Sequence, residues 1–311
     1  MKKTLSMMLA GAMLAAALTG CGGSDTGAAQ GETQGTDSAA TDDGGNAAPA
    51  AMSGAITVIS REEGSGTRGA FVELTGVEEK DANGNKTDRT TEDAQIANKT
   101  DVVLTSVAGD EASIGYISLG SLNDTVKALK VDDVEATPEN VKSGTYKLAR
   151  PFNIATKGEP AGVAKDFIAF IMSKEGQQVI SDNKYIPVDD AAATFTSDGS
   201  SGKIAVGGSS SVSPVMEKLI EAYKAVNPNA TIELQTSDST AGMTGAMDGT
   251  FAIGMASREL KDSESALTAT AIAMDGIAMI VNPDNTLENI SSEQIKAIYT
   301  GEITDWADVA Q

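Results

Sequence analysis

Apolar residues follow three different patterns along the chain. Behind Lys2 and Lys3 they run almost unbroken from Leu5 to Leu18. Over residues 22–53 large apolar side chains nearly vanish, leaving Gly, Ser, Thr, Ala, Asp, Gln and Asn. From Ala55 onward short apolar runs alternate with stretches of helical spacing, the signature of open α/β sheets rather than a barrel or sandwich. The apolar runs predict strands at Ile56-Thr57-Val58-Ile59, Ser113-Ile114-Gly115-Tyr116-Ile117, 204–206, 231–234, 252–255 and 277–281. Helices are predicted over 68–74, ended near Gly76, and after Thr137-Pro138-Glu139, where a cap precedes proline. Further helices start at Ser213-Pro214, with Met216, Leu219, Ile220 and Tyr223 on one face, and over 240–247 before Gly249. Another follows the capping box Ser291 to Gln294. Residues 162–180 carry Val163, Phe167, Phe170, Ile171, Val179 and Ile180 on a core-packing face, with a break expected near Gly176. The polar segment 81–89, with Asn83-Gly84-Asn85, reads as a loop.

The first two patterns concern delivery rather than folding. Basic residues, a short apolar run and small residues make a secretory signal; the run falls short of the roughly 20 residues of a membrane span. The following Leu18-Thr19-Gly20-Cys21 resembles the lipobox of bacterial lipoproteins. That implies a signal peptide over 1–20, diacylation of Cys21 and an extracytoplasmic protein anchored to the cell membrane. A plain signal peptide with an incidental cysteine is the alternative. Residues 21–53 cannot bury enough surface to offset their conformational entropy, so a disordered tether is expected, reaching on the order of 30 Å.

Composition removes whole classes of chemistry. The 311 residues include no histidine and one cysteine. Imidazole bases, histidine metal ligands and disulfides are therefore excluded, and neither a metal nor a cofactor is expected. A net charge of −21 disfavours a nucleic-acid partner.

What remains is a set of small hydroxyl clusters at strand ends: Ser209-Ser210-Ser211, Ser237-Asp238-Ser239-Thr240, Ser257-Arg258, and Ser65-Gly66-Thr67 beside Arg61. In open α/β sheets ligands bind beyond the carboxyl ends of strands. Helix N-termini there offer unpaired N–H groups and partial positive charge. Hydroxyls add rotatable donors, and glycine permits close backbone approach. Each cluster alone is more simply a helix cap; together they make an oxyanion site as good a reading as a set of separate caps.

Ile59-Ser60-Arg61-Glu62-Glu63-Gly64-Ser65-Gly66-Thr67-Arg68 closely resembles the phosphate-binding segment of the substrate-binding proteins of phosphate ABC transporters. Gly208-Ser209-Ser210-Ser211-Val212-Ser213-Pro214 resembles that family's first phosphate loop, residues 235–242 its second, and Gly254-Met255-Ala256-Ser257-Arg258-Glu259-Leu260 its third. The resemblance implies a two-lobe α/β fold of the type II periplasmic-binding-protein kind, with a cleft between lobes. It implies an anion held by Arg61, Ser65, Gly66, Thr67, Ser210, Ser211, Ser239 and Ser257, with Glu63 as the acidic partner of Arg61. Many members have aspartate, a proton acceptor, where Arg258 stands. A branch of the family with the Ser-Arg-Glu-Leu version is matched instead, so Arg258 is expected on the anion, and Asp275 or Glu62 as the acceptor.

The order of the motifs is reversed relative to the family. The ending Thr304-Asp305-Trp306-Ala307-Asp308-Val309 resembles the segment that ordinarily precedes Ile56-Thr57-Val58-Ile59. This reads as a circular permutation; a truncated sequence continuing after Gln311 is the alternative. With crossovers near 150–155 and 278–282, one lobe comprises 54–150 plus 280–311 and the other 151–279. The expected function is capture of inorganic phosphate for an ABC importer, by a monomer that meets the permease subunits. Alternatives are a binder of sulfate or molybdate, or a phosphate sensor or adhesin on the same fold. An enzyme is not expected, because no histidine or dense carboxylate cluster supports phosphoryl transfer.

Overall fold

The protein is described by a computed structural model covering residues 52–309. The signal segment, Cys21 and all but the last two residues of the tether lie outside the described residues. The chain opens with β1 (Thr57–Arg61), α1 (Gly66–Thr75), β2 (Glu78–Lys80), β3 (Lys86–Asp88), β4 (Gln95–Ala97), α2 (Thr100–Ala108) and β5 (Ser113–Ser118). The short β6 (Lys127–Ala128), β7 (Lys130–Val131) and α3 (Pro138–Lys142) lead to β8 (Ala149–Thr156). There follow α4 (Gly162–Ile171), α5 (Lys174–Asp182), β9 (Ile186–Pro187), β10 (Gly202–Ser209), α6 (Ser213–Val226), β11 (Ala230–Ser237), α7 (Ser239–Asp248) and β12 (Ile253–Ala256). The long β13 (Thr268–Val281), β14 (Asn289–Ile290), α8 (Ser292–Tyr299) and α9 (Trp306–Val309) complete it.

The main strand path runs β11-β10-β12-β8-β13-β5-β1-β4. Within it β10 is parallel to β11 and β12, and β1 is parallel to β4 and β5. Between these parallel sets lie β8 and β13, antiparallel to each other and to their outer neighbours β12 and β5. The apolar interior divides along the same line. One core gathers Val58, Phe71, Ile114, Tyr116, Leu148, Met279 and Trp306. The other gathers Phe152, Phe167, Val206, Leu219, Met255 and Ala273. Both β8 and β13 pass from one core to the other, β8 between Ala149 and Phe152, β13 between Ala273 and Ile277. Residues 54–56 lie against 304–306: Ala55 bridges Asp305, Ile56 N–H donates to the Thr304 carbonyl, and Trp306 N–H to that of Gly54.

Three local features differ from the sequence expectations. Segment 81–89 is not all loop: β2 and β3 form a hairpin pairing Glu78 with Asp88. Asp81 closes its turn by accepting from the N–H groups of Asn83 and Asn85, both at 2.8 Å. Both faces of that hairpin are polar, so no apolar alternation could announce it. The break in 162–180 comes earlier than Gly176, at Ser173, whose hydroxyl caps α5 by accepting from Gly176 N–H at 3.2 Å. Gly176 serves close packing instead, since a Cβ there would sit 2.1 Å from the Phe170 carbonyl oxygen. Finally, β13 starts nine residues before the predicted 277, its first half disguised by alternating Ala and Thr. Among the described residues no helix is long and apolar enough to cross a membrane.

Candidate functional site

The carboxyl ends of the two parallel strand sets meet, and each feeds a helix start into the gap. β1 ends at Arg61, and Ser65 caps α1 by accepting from Arg68 N–H at 3.3 Å. β4 leads to Thr100 at the head of α2. Across the gap, β10 ends at Ser209 before α6, β11 ends at Ser237 before α7, and β12 ends just before Ser257. The first-turn N–H groups of such helices have no intrahelical acceptor and carry partial positive charge. Asp238 caps α7, accepting from Ala241 N–H at 2.8 Å.

Hydroxyls from both sides interlock in this gap. Thr67 Oγ1 lies 2.8 Å from Ser211 Oγ and 3.3 Å from Ser257 Oγ. Thr100 Oγ1 lies 3.3 Å from the hydroxyls of both Ser210 and Ser211. Ser209 donates to Ser257 Oγ at 3.0 Å, and Ser239 Oγ accepts from Ser257 N–H at 3.1 Å. All of these side chains are buried. Gly66 packs so tightly here that a Cβ would stand 2.3 Å from Ser239 Oγ and 2.8 Å from Ser257 Oγ. Gly64 makes the rim contact, its carbonyl accepting from Thr240 N–H at 3.1 Å. The result is a buried nest of neutral donors with almost no apolar surface, suited to an ion whose water must be replaced bond for bond.

Three buried arginines surround the nest, each matched by a carboxylate. Arg61 donates to Ser210 Oγ at 3.0 Å and to Thr100 Oγ1 at 3.4 Å. Its acidic partner is Glu62, held through Nε and Nη2 at 2.8 Å each. This corrects the expectation of Glu63, which is exposed; the chain leaves β1 after Arg61, Glu62 is held at the strand end by its N–H donating to the Ala97 carbonyl, and Glu63 falls in the turn that follows. Arg258 grips Glu264 with both terminal nitrogens, at 2.8 and 2.7 Å, and also reaches Thr240 at 3.4 Å. Its guanidinium is thus directed to the 3-10 turn at Asp262–Glu264, not to the hydroxyl nest, and its contribution near the nest is a Cγ packed against Gly66. Burial works to raise the Glu264 pKa, but hydrogen bonds from Arg258 and Lys261 N–H outweigh it and hold the carboxyl below its ordinary value.

Arg150, at the start of β8, is the arginine that sequence reasoning missed. It donates to Thr67 Oγ1 at 3.2 Å and is paired with Asp275 of β13, its register partner. Asp275 also accepts from Ser118 Oγ at 2.7 Å and Gly120 N–H at 3.2 Å. Burial raises its pKa, opposed by Arg150 and those hydrogen bonds. Neither proposed acceptor touches the hydroxyl nest: Asp275 and Glu62 each stand behind an arginine. Thr100 and Ser209 were also outside the predicted set. Thr100 had a signal, a hydroxyl at the first position of an apolar helix; Arg150 had none, since an arginine at the end of a strand is usually a surface charge. Ser65 uses its oxygen as a cap, as such serines usually do.

Comparison with known proteins follows the same lines. A family model for the PBP superfamily domain matches residues 32–175 and 193–311. The phosphate-binding protein PstS 2 of Streptococcus agalactiae is 51% identical over 269 residues, covering 86% of this chain and 92% of that protein. The crystal structure of a phosphate ABC transporter phosphate-binding protein from Streptococcus pneumoniae aligns with a TM-score of 0.66 at 48% identity, over 82% of this chain and 100% of that one. The phosphate-binding protein PstS of Bacillus subtilis is 33% identical over 148 residues, only 46% of this chain and 45% of that protein.

Proposed function

This chain belongs to the PBP superfamily and, within it, to the PstS family of phosphate-binding proteins; on that premise we propose that it captures inorganic phosphate in the hydroxyl nest and presents it to an ABC importer. The observation that carries this reading is the convergence of Arg61 and Thr67 from one strand set on Ser210, Ser211 and Ser257 from the other. Tetrahedral oxyanions have four oxygens spread in space, and donors from two sides can reach all of them at once. Hydrogen bonds to a charged group contribute about 1.5–3 kcal/mol each. Micromolar affinity corresponds to about −8.2 kcal/mol, so a handful of these donors suffices after association costs.

The ligand set is Arg61, Gly66, Thr67, Thr100, Ser210, Ser211, Ser239 and Ser257. Two lobes, 54–150 plus 280–311 and 151–279, close over it by bending at β8 and β13; the division of the apolar interior supports this. The halves are read as swapped relative to members such as the Bacillus subtilis protein, and not relative to the Streptococcus agalactiae protein, which matches over 92% of its length. Two observations support that: residues 54–56 lie beside 304–306, and the match to the Bacillus subtilis protein runs in line over only 45% of its length. Cys21 carries the lipid that holds a monomer outside the cytoplasm beside its permease. Calorimetric titration of the purified protein with phosphate, and separately with sulfate, tests the site. Phosphate binding that sulfate does not compete away is expected; equal competition by sulfate would refute selectivity, and no heat or stabilisation with either would refute the site.

A further inference from the structure

Of the arginines at the cleft, Arg150 has the free hydrogen-bonding edge. A guanidinium carries five N–H donors in one plane. Nη1 of Arg150 directs its two at Asp275 Oδ2 and the Gly276 carbonyl. Nη2 gives one to Thr67 Oγ1. The buried Nε–H has no partner. Nε and Nη2 lie on one side of the plane and form the fork that grips two oxygens of an oxyanion. On Arg61 that same fork is filled by Glu62. Arg258 also leaves Nε unpartnered, but its contacts are Glu264, the Glu259 carbonyl and Thr240, none of them in the hydroxyl nest. The Phe152 ring, 5.0 Å from the Arg150 guanidinium carbon, covers one face of the plane. Guanidinium hydrogen bonds form in the plane, and there the Nε/Nη2 edge keeps donors for a ligand.

We propose that Arg150 is a direct phosphate ligand, engaging the anion through its Nε/Nη2 edge while Asp275 and Gly276 hold the Nη1 side. The inference rests on reading the hydroxyl nest as the phosphate site and adds a second guanidinium to it. Its position gives the contact a further consequence. Arg150 and Asp275 face each other across β8 and β13 where both strands change cores. An anion gripped by Arg150 is therefore tied to the two crossover strands, not only to the loops that close on it.

Removing Arg150 alone would strand a buried Asp275, so the deciding variant is the neutral pair Arg150→Gln/Asp275→Asn, compared with the parent and with Asp275→Asn alone. Phosphate affinity is read by calorimetry, with melting temperatures to establish folding. The double variant is expected to bind phosphate about 10- to 100-fold more weakly, the range of one charge-assisted contact. Asp275→Asn alone keeps the guanidinium and its Nε/Nη2 edge and removes a buried negative charge beside the anion, so it is expected to bind at least as tightly as the parent. A merely structural pair would weaken binding in both variants alike, and that result overturns the proposal. So does a folded double variant binding within twofold of the parent. In 15N-labelled full-length protein the Arg150 Nε–H resonance provides a measurement independent of folding in the variants: a marked downfield shift on adding inorganic phosphate is expected, and an unmoved resonance at saturation overturns the proposal. A parent that takes up no phosphate overturns the reading of the cleft itself, and is distinguished from these outcomes by the parent titration.

Discussion

Replacing Gly66 by alanine adds one methyl group where the two parallel strand sets meet. Gly66 is the first residue of α1 and its backbone is already helical, so alanine fits the chain locally. Helix propensity favours the substitution, by up to about 1 kcal/mol in a helix interior. The obstacle is across the gap: the new Cβ would stand 2.3 Å from Ser239 Oγ, where ordinary contact begins at 3.4 Å. Ser239 and Ser257 are tied to each other and to Ser209, so they cannot simply rotate away without giving up those bonds. The sides must part by about 1 Å, which takes Thr67 and Ser257, now 3.3 Å apart, beyond hydrogen-bonding distance. Donors placed on opposite sides can then no longer all reach one ion. Loss of two contacts worth about 1.5–3 kcal/mol each predicts phosphate affinity falling by roughly 10²- to 10⁴-fold. Calorimetric titration measures this, alongside the melting temperature without phosphate, which should change little or fall slightly, since the lost cross-gap hydrogen bond is at least as large as the gain in helix propensity at a first helical residue. Binding by Gly66→Ala within threefold of the parent would show that the gap does not need to be this narrow, and the reasoning would fail.

Arg61→Ala should weaken phosphate binding by several kcal/mol, since it removes a buried guanidinium from Ser210 and Thr100; unchanged affinity by titration would discount the site. Arg258→Ala leaves Glu264, 3% exposed, without its partner, so a stability loss of about 3–5 kcal/mol is expected in urea denaturation; a loss under about 1 kcal/mol would contradict the buried pairing. Asp166 is expected to dominate acid sensitivity in the second core. Burial works to raise its pKa, but donors from Asp198 N–H, Tyr223, Ser197 and Asn227 outweigh it and leave the value below 3.8. Its depressed pKa contributes stability that is present above 3.8 and lost as pH falls through the folded value. Asp166→Asn should therefore flatten the fall in melting temperature on the acid side, and an unchanged acid limb would refute this. Cys21→Ala should release the protein from membranes in a detergent-partition assay; retention would show that the lipobox reading is wrong.

Legibility from sequence varied with how local the cause was. The capping box at Ser291 and Gln294 is present as read, both reciprocal bonds formed, because it needs only four consecutive residues. The strands ending at Arg61 and Ser209 were visible as apolar runs followed by glycine and hydroxyls. Glu62 and Glu63 could not be told apart in the same way. Which of two adjacent acids turns toward an arginine depends on the strand end's exact direction, and that is set by pairing with β4 and β5. Arg258 was assigned to the anion because of its neighbours in the chain, whereas Glu264, six residues on, claims it through a turn with no strong sequence signal.

By itself the sequence narrowed the class of the site: no histidine and a single cysteine remove imidazole chemistry and disulfides, while Ser, Thr and Gly at strand ends offer hydrogen-bond donors whose ligand is named by the family resemblance and not by their spacing. Only the tertiary structure decided which donors act together. Arg150 meets Thr67 across 83 positions and Arg61 meets Ser210 across 149. Such contacts follow from the register of β8 on β13 and from the meeting of two strand sets, and no local propensity encodes either. The physical reason is that a donor's chemistry belongs to its residue, whereas its target is fixed by the packing of the whole chain.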